Sequence, residues 1–587
     1  MSCWHLCICW LPLVISAIDR PCSVCHPSVG APASEVDVGA PASEVDFLIV
    51  GAGPAGLQWA LLLESANVTS YLVLEKGFGA GSFFRTYPRA RRLISNNKCR
   101  SGKGKSKDFG FRHDWNSLLG TNRSLCDLTN EFYTSANYLV EYLEEVAVGL
   151  RIEYNATVLG TSRHNGRHVV HLVDGRAFSC QHLVVATGFA PEPLPKAHWT
   201  RAKELFTYQT FPDLDANGKA PFCDNREVYI IGNGNAAFET ANMLASCASA
   251  VHMFMRRPPR FSALTHYVGD VRMKSFEIAD RYLLKSLDSL LVVEDWMDGA
   301  APAAMSKEFG AVIIFSGGFT GRSPRLEDVS EQYRLPLVGS MNSSAKSKFP
   351  LTATFFSDPE VENKWYAGNL MHGRDYRSGA GGFIHGFRYL INAQVNFILA
   401  KHYERPYPSL HLADDASLKS HVNSRFQNSS ALYQMHGHMR DIVVRHPSGS
   451  GYLYVEQIPR YWVHESLALL GVQQRPACHM EVGFDYGHTS EVPGPWDFSL
   501  MFSEEREDRN PPLFLHPVMV AVDASSAQTH FHGGEDFRAS WTDPEEVRRN
   551  LEALEACMKV CLTGAASEAS ECTSADHCQT NSVTKHS

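Results

Sequence analysis

A chain of 587 residues with 44% hydrophobic and 20% charged residues has globular composition, and its length allows several cores of about 150 residues each. A net charge of −9 excludes a global basic field suited to nucleic acid, and the local basic runs Arg89–Arg92 and Lys103–Lys107 read as solvated loops. Beyond one short run near the start there is no stretch of about eighteen apolar residues, so no membrane span is expected.

Leu6 to Ile18 is mostly apolar for 13 residues, with the small residues Ser16 and Ala17 near its end. Residues 1–18 are therefore read as a signal peptide, although no Lys or Arg precedes the apolar run and Pro12 interrupts it. Residues 29–37 and 38–46 repeat V-G-A-P-A-S-E-V-D identically. Small residues and proline build no core, so 19–45 read as a flexible tether and folding is expected to begin at Asp46.

Phe47 to Val50 is an apolar run that ends in Gly51-x-Gly53-x-x-Gly56. Pro54 and Ala55 open a helical pattern, Tyr71 to Leu74 restores a strand, and Glu75 follows Gly51 by 24 residues. Strand, glycine turn, helix, strand and acid make the context that a dinucleotide fingerprint requires. Gly51 permits the tight turn, Gly53 lets a pyrophosphate approach the backbone, and Gly56 lets helix pack on strand. The helix N-terminus offers N–H groups to the phosphates, and Glu75 offers a carboxylate to ribose hydroxyls. The turn Gly77 to Gly81 then leads into Ser82 and Phe83, placed to approach a flavin's ribityl chain and ring. Strands over 168–172 and 177–186 end at Thr187-Gly188, where one domain hands over to another.

The pattern returns at Val228 to Ile231, with Gly232-Asn233-Gly234-Asn235-Ala236-Ala237 as a second glycine turn. Arg256 and Arg257 occupy the place of Glu75, again 24 residues after the first glycine. Arginine suits a 2′-phosphate where a carboxylate suits free hydroxyls, and Ala237 fits the same kind of turn, so the second unit reads as NADPH-binding. Val312 to Phe319 parallels Leu183 to Phe189. Gly368 and Asn369 follow a third short strand, where a polar side chain can meet the ribityl chain. Gly382 and Phe383 open a helix whose N-terminus would face the flavin pyrimidine edge.

The expected fold is α/β: a Rossmann-like FAD domain (46–195 and 311–402) with an inserted Rossmann-like NADPH domain (225–310). A smaller, separate β-rich module over 405–555 and a disordered tail over 563–587 follow. Strands are expected at 441–444, 452–455 and 517–522. His530, His532 and Glu535 read as surface loop rather than a metal site, and no metal is expected. Of fifteen cysteines, Cys22 and Cys25 sit in the N-terminal segment, and Cys557 and Cys561 lie one helical turn apart. Asn67, Asn122, Asn155, Asn342 and Asn428 head glycosylation sequons, a number that residue usage alone would make ordinary.

G-A-G-P-A-G-L-Q (51–58), G-S-F-F (81–84), R-H-D-W-N-S-L-L (112–119), T-H-Y-V-G-D-V-R (265–272), M-H-G-R-D-Y-R (371–377) and G-G-F-I-H-G-F-R-Y (381–389) resemble the FAD-dependent oxidoreductase domain-containing family, in particular its branch tied to degradation in the endoplasmic reticulum. The resemblance spans roughly residues 46–400. It implies a flavoprotein of the endoplasmic-reticulum lumen that holds FAD, is reduced by NADPH, and has misfolded glycoproteins and the degradation machinery as partners. The C-terminus Thr584–Ser587 departs from a K-D-E-L-type retrieval signal. Because the cofactors carry such chemistry, no side chain is assigned a catalytic role. Two alternatives to a reductase of disulfide-linked acceptors remain: a flavin monooxygenase, and a scaffold that keeps FAD without turnover. Residues 206–226 lack the F-x-G-x-x-x-H string usual in monooxygenases.

Overall fold

The computed structural model describes residues 43–562, except 101–105, 192–203, 286–288, 293–310, 322–337, 339, 342–347, 473–475, 488–511, 513 and 537. The signal-peptide reading, most of the tether, Cys22 and Cys25, the sequon at Asn342 and the tail lie outside the described residues.

The first strand, Ser43–Val50, is flanked on both sides by parallel partners, Tyr71–Leu74 and Ala177–Val185. Its apolar end is buried from Phe47 to Val50, as a strand covered on both faces requires. It also begins earlier than expected. Ser43, Glu44 and Val45 pair with Phe178, Ser179 and Cys180, so the last residues of the tandem repeat are strand rather than tether. A waiting edge of backbone donors and acceptors overrides their weak composition.

Ala177–Val185 changes partner along its length. Its first half pairs antiparallel with Arg167–Leu172, and its second half pairs parallel with Lys364–Tyr366. Seven strands complete this sheet. Helix Pro54–Ser65 covers one face together with the 19-residue helix Ile384–His402.

The second unit has its own five-stranded sheet, ordered Ser289–Val292, Ala250–Met255, Glu227–Ile231, Val312–Phe315, Leu205–Thr207, with every pairing parallel. Val312–Phe315 therefore closes the nucleotide unit around Gly232 and does not begin the return to the first domain. Leu205–Thr207, outside the expected 225–310, also belongs to this unit. The chain passes between the units on a two-stranded ribbon in which Ala190–Pro191 runs antiparallel to Phe319–Thr320.

The C-terminal part is a six-stranded antiparallel sheet containing Leu410–Leu412, Tyr452–Pro459, Met439–Arg445, Cys478–Asp485, His516–Asp523 and Gln528–His532 in that spatial order. Helices Asp415–Asn428 and Pro544–Cys561 pack with it. It is not a separate module. One apolar core runs from Phe47 and Trp59 through Phe387, Ile391 and Ile398 to Met439, Tyr454 and Leu554. The last helix carries this part to Cys561, past the expected end at 555. His530 and His532 lie on an edge strand instead of a loop, with His532 Nδ1 2.8 Å from His516 Nε2.

Three disulfides staple the described residues: Cys99–Cys126, Cys223–Cys247 and Cys478–Cys561. Cys561 thus bonds across to a strand and not along its helix, while Cys557 stays a buried free thiol whose pKa burial pushes up. Among the described residues no helix is long and apolar enough to cross a membrane.

Candidate functional site: two nucleotide cradles

The first cradle is set by a close approach of two chain segments. Gly51 has φ +109°, and a Cβ there would lie 2.6 Å from the carbonyl oxygen of Ala186 at the end of Ala177–Val185. A Cβ on Gly56 would come within 1.9 Å of Gly51 O. Gly53 is the opposite case. Its φ is an ordinary −76°, and nothing lies within 4 Å of a Cβ built on it, so its missing side chain leaves space open above the turn. Pro54 is the first residue of the helix, and Ala55 packs against Gly368, whose φ is +69°.

Glu75 binds the two glycine turns together. Its Oε2 accepts from Ala52 N at 2.8 Å, and its Oε1 accepts from Gly77 N at 2.8 Å with Ser82 Oγ 3.0 Å away. A carboxylate has about four acceptor directions, so these partners leave capacity for a ribose hydroxyl. Ser82 is accordingly turned toward Glu75, with its hydroxyl also 2.9 Å from Gly79 O. Phe83 is exposed, with its ring against Tyr87 and Phe319, and so sits beside the ribbon between the units. Gly188, with φ +68°, follows the Ala186 carbonyl into that ribbon.

Gly368 is buried over the start of the first helix, and Asn369 is half-buried beside it. Gly382 faces the His372 ring, and Phe383 is the residue before helix Ile384–His402. A relay absent from the sequence reading supports this corner. Tyr267 Oη lies 2.7 Å from His372 Nε2, His372 Nδ1 lies 2.8 Å from Asp375 Oδ1, and Asp375 Oδ2 accepts from Gly381 N at 2.5 Å. Burial works to raise the Asp375 carboxyl, but His372 and the Gly381 hydrogen bond outweigh it and hold the group below the usual carboxylate range. Burial pushes the Tyr267 hydroxyl up, so it stays protonated. The relay joins the strings at 265–272 and 371–377, and fixes the turn at which the long helix starts.

The second cradle repeats the first. Gly232 has φ +147°, and a Cβ there would meet Ser316 O at 2.7 Å, the counterpart of Ala186 O. Gly234 is open, with nothing within 4 Å of a built Cβ. The Asn235 side chain is held by Asp270 O and Arg272 N at 2.9 Å each, so it is committed to contacts within the protein. Ala237 takes the place of a third glycine and is buried in the unit's core. Arg256 and Arg257 stand exposed just past Ala250–Met255, and Arg257 O accepts from the Asn233 side chain at 3.0 Å.

Among the described helices of ten or more residues, capping separates these positions from the rest; several shorter helices are also uncapped. Helices Ala136–Ala147, Asp415–Asn428 and Pro544–Cys561 each have a Ser or Asp side chain accepting from the first turn. Helices Pro54–Ser65, Asn235–Leu244 and Ile384–His402 have Gly53, Gly234 and Phe383 there and no side-chain cap. A capping side chain replaces the partner that an anion or polar ligand would supply. Three uncapped helix starts and two open glycines fit a flavin dinucleotide at the first cradle and a nicotinamide dinucleotide at the second.

Fold and cradles together define an oxidoreductase of the two-dinucleotide-domain class. A family model described as pyridine nucleotide-disulphide oxidoreductase matches residues 48–282. The chain is 31% identical to FAD-dependent oxidoreductase domain-containing protein 2 of Mus musculus, across 81% of this chain and 75% of that protein. It is 28% identical to the protein of the same name from Danio rerio, across 94% and 88%. The chain belongs to this family of FAD-dependent oxidoreductase domain-containing proteins. Among solved structures it is similar to bacillithiol disulfide reductase from Staphylococcus aureus, with a TM-score of 0.43 and 17% identity over 61% of this chain and 99% of that one.

Proposed function

We propose that this protein is a FAD-dependent oxidoreductase reduced by NADPH, acting in the endoplasmic-reticulum lumen on misfolded, disulfide-linked proteins bound for degradation. The observation that carries the NADPH assignment is the exchange of Glu75 for Arg256 and Arg257 at the same place in two otherwise matching cradles. In the first cradle the uncapped start of Pro54–Ser65 receives the pyrophosphate and Glu75 receives ribose hydroxyls. Gly368, Asn369, Gly382 and Phe383 border the ribityl and pyrimidine side. In the second cradle Gly232 and Gly234 receive the nicotinamide dinucleotide, and Arg256 and Arg257 receive its 2′-phosphate. When bound, FAD supplies a two-electron carrier that accepts hydride from NADPH.

The lumenal assignment is supported by three disulfides within the described residues. The degradation role rests on resemblance to the family branch. Among the described residues, Cys223 and Cys247 are buried in the second unit's own core as a disulfide, so this pair is not placed to relay electrons to an acceptor.

The test is the dissociation constant for NADPH and for NADH in the chain and in its Arg256→Ala, Arg257→Ala double variant. Charge-assisted hydrogen bonds contribute about 1.5–3 kcal/mol each, so NADPH should weaken by about tenfold or more while NADH is unchanged. Equal weakening of both, or of neither, contradicts the assignment.

A further inference from the structure

The segment 262–274, the start of helix Ile384–His402 and the C-terminal part of the chain line a cavity of about 380 Å3 that borders both cradles, sharing that helix start with the first and Arg272 with the second. Its walls are stacked rings: Trp115 lies on His385 with centroids 4.2 Å apart, and His266 lies on Tyr486 at 4.0 Å. Arg272 and Lys274 line it, and among the described residues no lining side chain is a carboxylate. Arg272 is held in place over the Trp115 ring, 5.3 Å away, by a hydrogen bond from Nη1 to Ile94 O at 3.1 Å. It keeps its charge at neutral pH, as guanidinium groups do in proteins. Lys274 lies over Tyr133, its ammonium 5.6 Å from the ring.

His385 supplies the second, independent observation. It is 3% exposed, it lines this cavity, and its Nε2 has no hydrogen-bond partner. Leaving a buried polar atom unpaired is unfavourable, and a ligand atom that pairs with it recovers the loss. Burial, reinforced by Arg388 and Arg272, keeps this imidazole neutral at pH 7.

We propose that this cavity is a binding site for a small planar aromatic anion, with its ring against the Trp115–His385 stack, its anionic oxygens on Arg272 and Lys274, and a polar atom on His385 Nε2. The volume lies near the low end of ligand pockets, about 300–1,000 Å3, which suits a compound of one or two rings. An adjoining lobe shares His266 and Tyr486 but is bounded by Glu535 and Asp536. Asp536 takes hydrogen bonds from Ser540 N and Trp541 N, which fixes negative charge on that side and confines an anion to the first lobe. The ligand's role as the enzyme's electron acceptor rests on the proposed oxidoreductase function; its binding does not.

The experiment is calorimetric titration of the full flavin-loaded chain with 2-naphthoate and with its neutral counterpart 2-naphthamide. Naphthoate should bind about tenfold more tightly than the amide, and Lys274→Met and Arg272→Met should each erase that preference. Lys274 is half-buried at the cavity edge, so its variant tests the site without threatening the fold, and thermal melting checks both variants. No binding of naphthoate, or binding that both variants leave unchanged, overturns the proposal. NADPH bleaching of the flavin is recorded on the same preparations. Naphthoate binding without bleaching upholds the cavity and removes the reductase reading, and bleaching without naphthoate binding does the reverse.

Discussion

Arg112 and Arg388 are almost wholly enclosed, yet neither faces a carboxylate among its hydrogen-bond partners. Arg112 donates to the carbonyls of Ser429, Phe426 and Ala539, and Arg388 donates to those of Asp114, Ser117 and Phe111. These two residues explain why charged positions recur in strings that otherwise read as core: each ties loop backbone to elements hundreds of residues away. Histidines in the first sheet make a different trade. Burial pushes His168 down to about 4 and His182 down to about 3 from an ordinary 6.5. In the unfolded chain both take up protons as pH falls through 6.5, whereas the folded chain resists until about pH 4. Their contribution to stability is therefore complete above pH 6.5 and is lost progressively as pH falls toward 4. Each tenfold loss of proton affinity on folding corresponds to about 1.4 kcal/mol, so two such groups are felt in the whole molecule. Melting temperature should fall steadily between pH 6.5 and pH 4.5. The fall should be shallower in His182→Phe, whose ring keeps the stack on Phe47 at 4.9 Å. A melting temperature that ignores pH over this range would contradict the burial argument.

At the scale of elements, the two glycine turns are the part most legible in sequence, because their constraint is local and steric. Gly51 and Gly232 each lie under the carbonyl that ends a neighbouring strand, and only glycine tolerates that approach at positive φ. The difference between Gly53 and Gly56 yields a paired prediction. Gly53→Ala meets nothing in the protein, so the flavin-free chain should melt unchanged while FAD affinity falls by about tenfold or more. Gly56→Ala drives a methyl into Gly51 O and should cost about 3 kcal/mol of stability whether or not FAD is present. Equal effects of the two changes on melting would contradict the assigned roles. The strand Cys478–Asp485 was not legible, and its residues show why. Glu481 pairs with Arg460 at 3.1 Å, and Asp485 pairs with the buried Arg440 at 2.7 Å. Met480, Val482 and Phe484 do alternate with polar positions, but Gly483 weakens the pattern and the ion pairs that bury Glu481 and Asp485 come from distant segments. The relay Tyr267–His372–Asp375 escaped because Tyr267 lies 105 residues from the neighbouring pair His372 and Asp375.

At the scale of the whole molecule, composition suggested an independent C-terminal module because proline and glycine become frequent after residue 405. The contacts that contradict it are non-local. Helix Ile384–His402 buries one side against the first unit and another against the C-terminal sheet, so the two share a single core, while the second nucleotide unit keeps its own. That division places the two cradles on separately cored bodies, joined by the ribbon Ala190–Pro191 with Phe319–Thr320. The arrangement suits a reaction in which one nucleotide must reach the other across a boundary and then leave. The central claim, that the two cradles work together as a reductive half-reaction, is tested most directly by an anaerobic absorbance titration of the purified, flavin-loaded chain with NADPH. The account predicts stoichiometric bleaching of the oxidised flavin band by NADPH, with NADH far less effective. A flavin spectrum that NADPH leaves unchanged, or folded protein that retains no flavin, would contradict it.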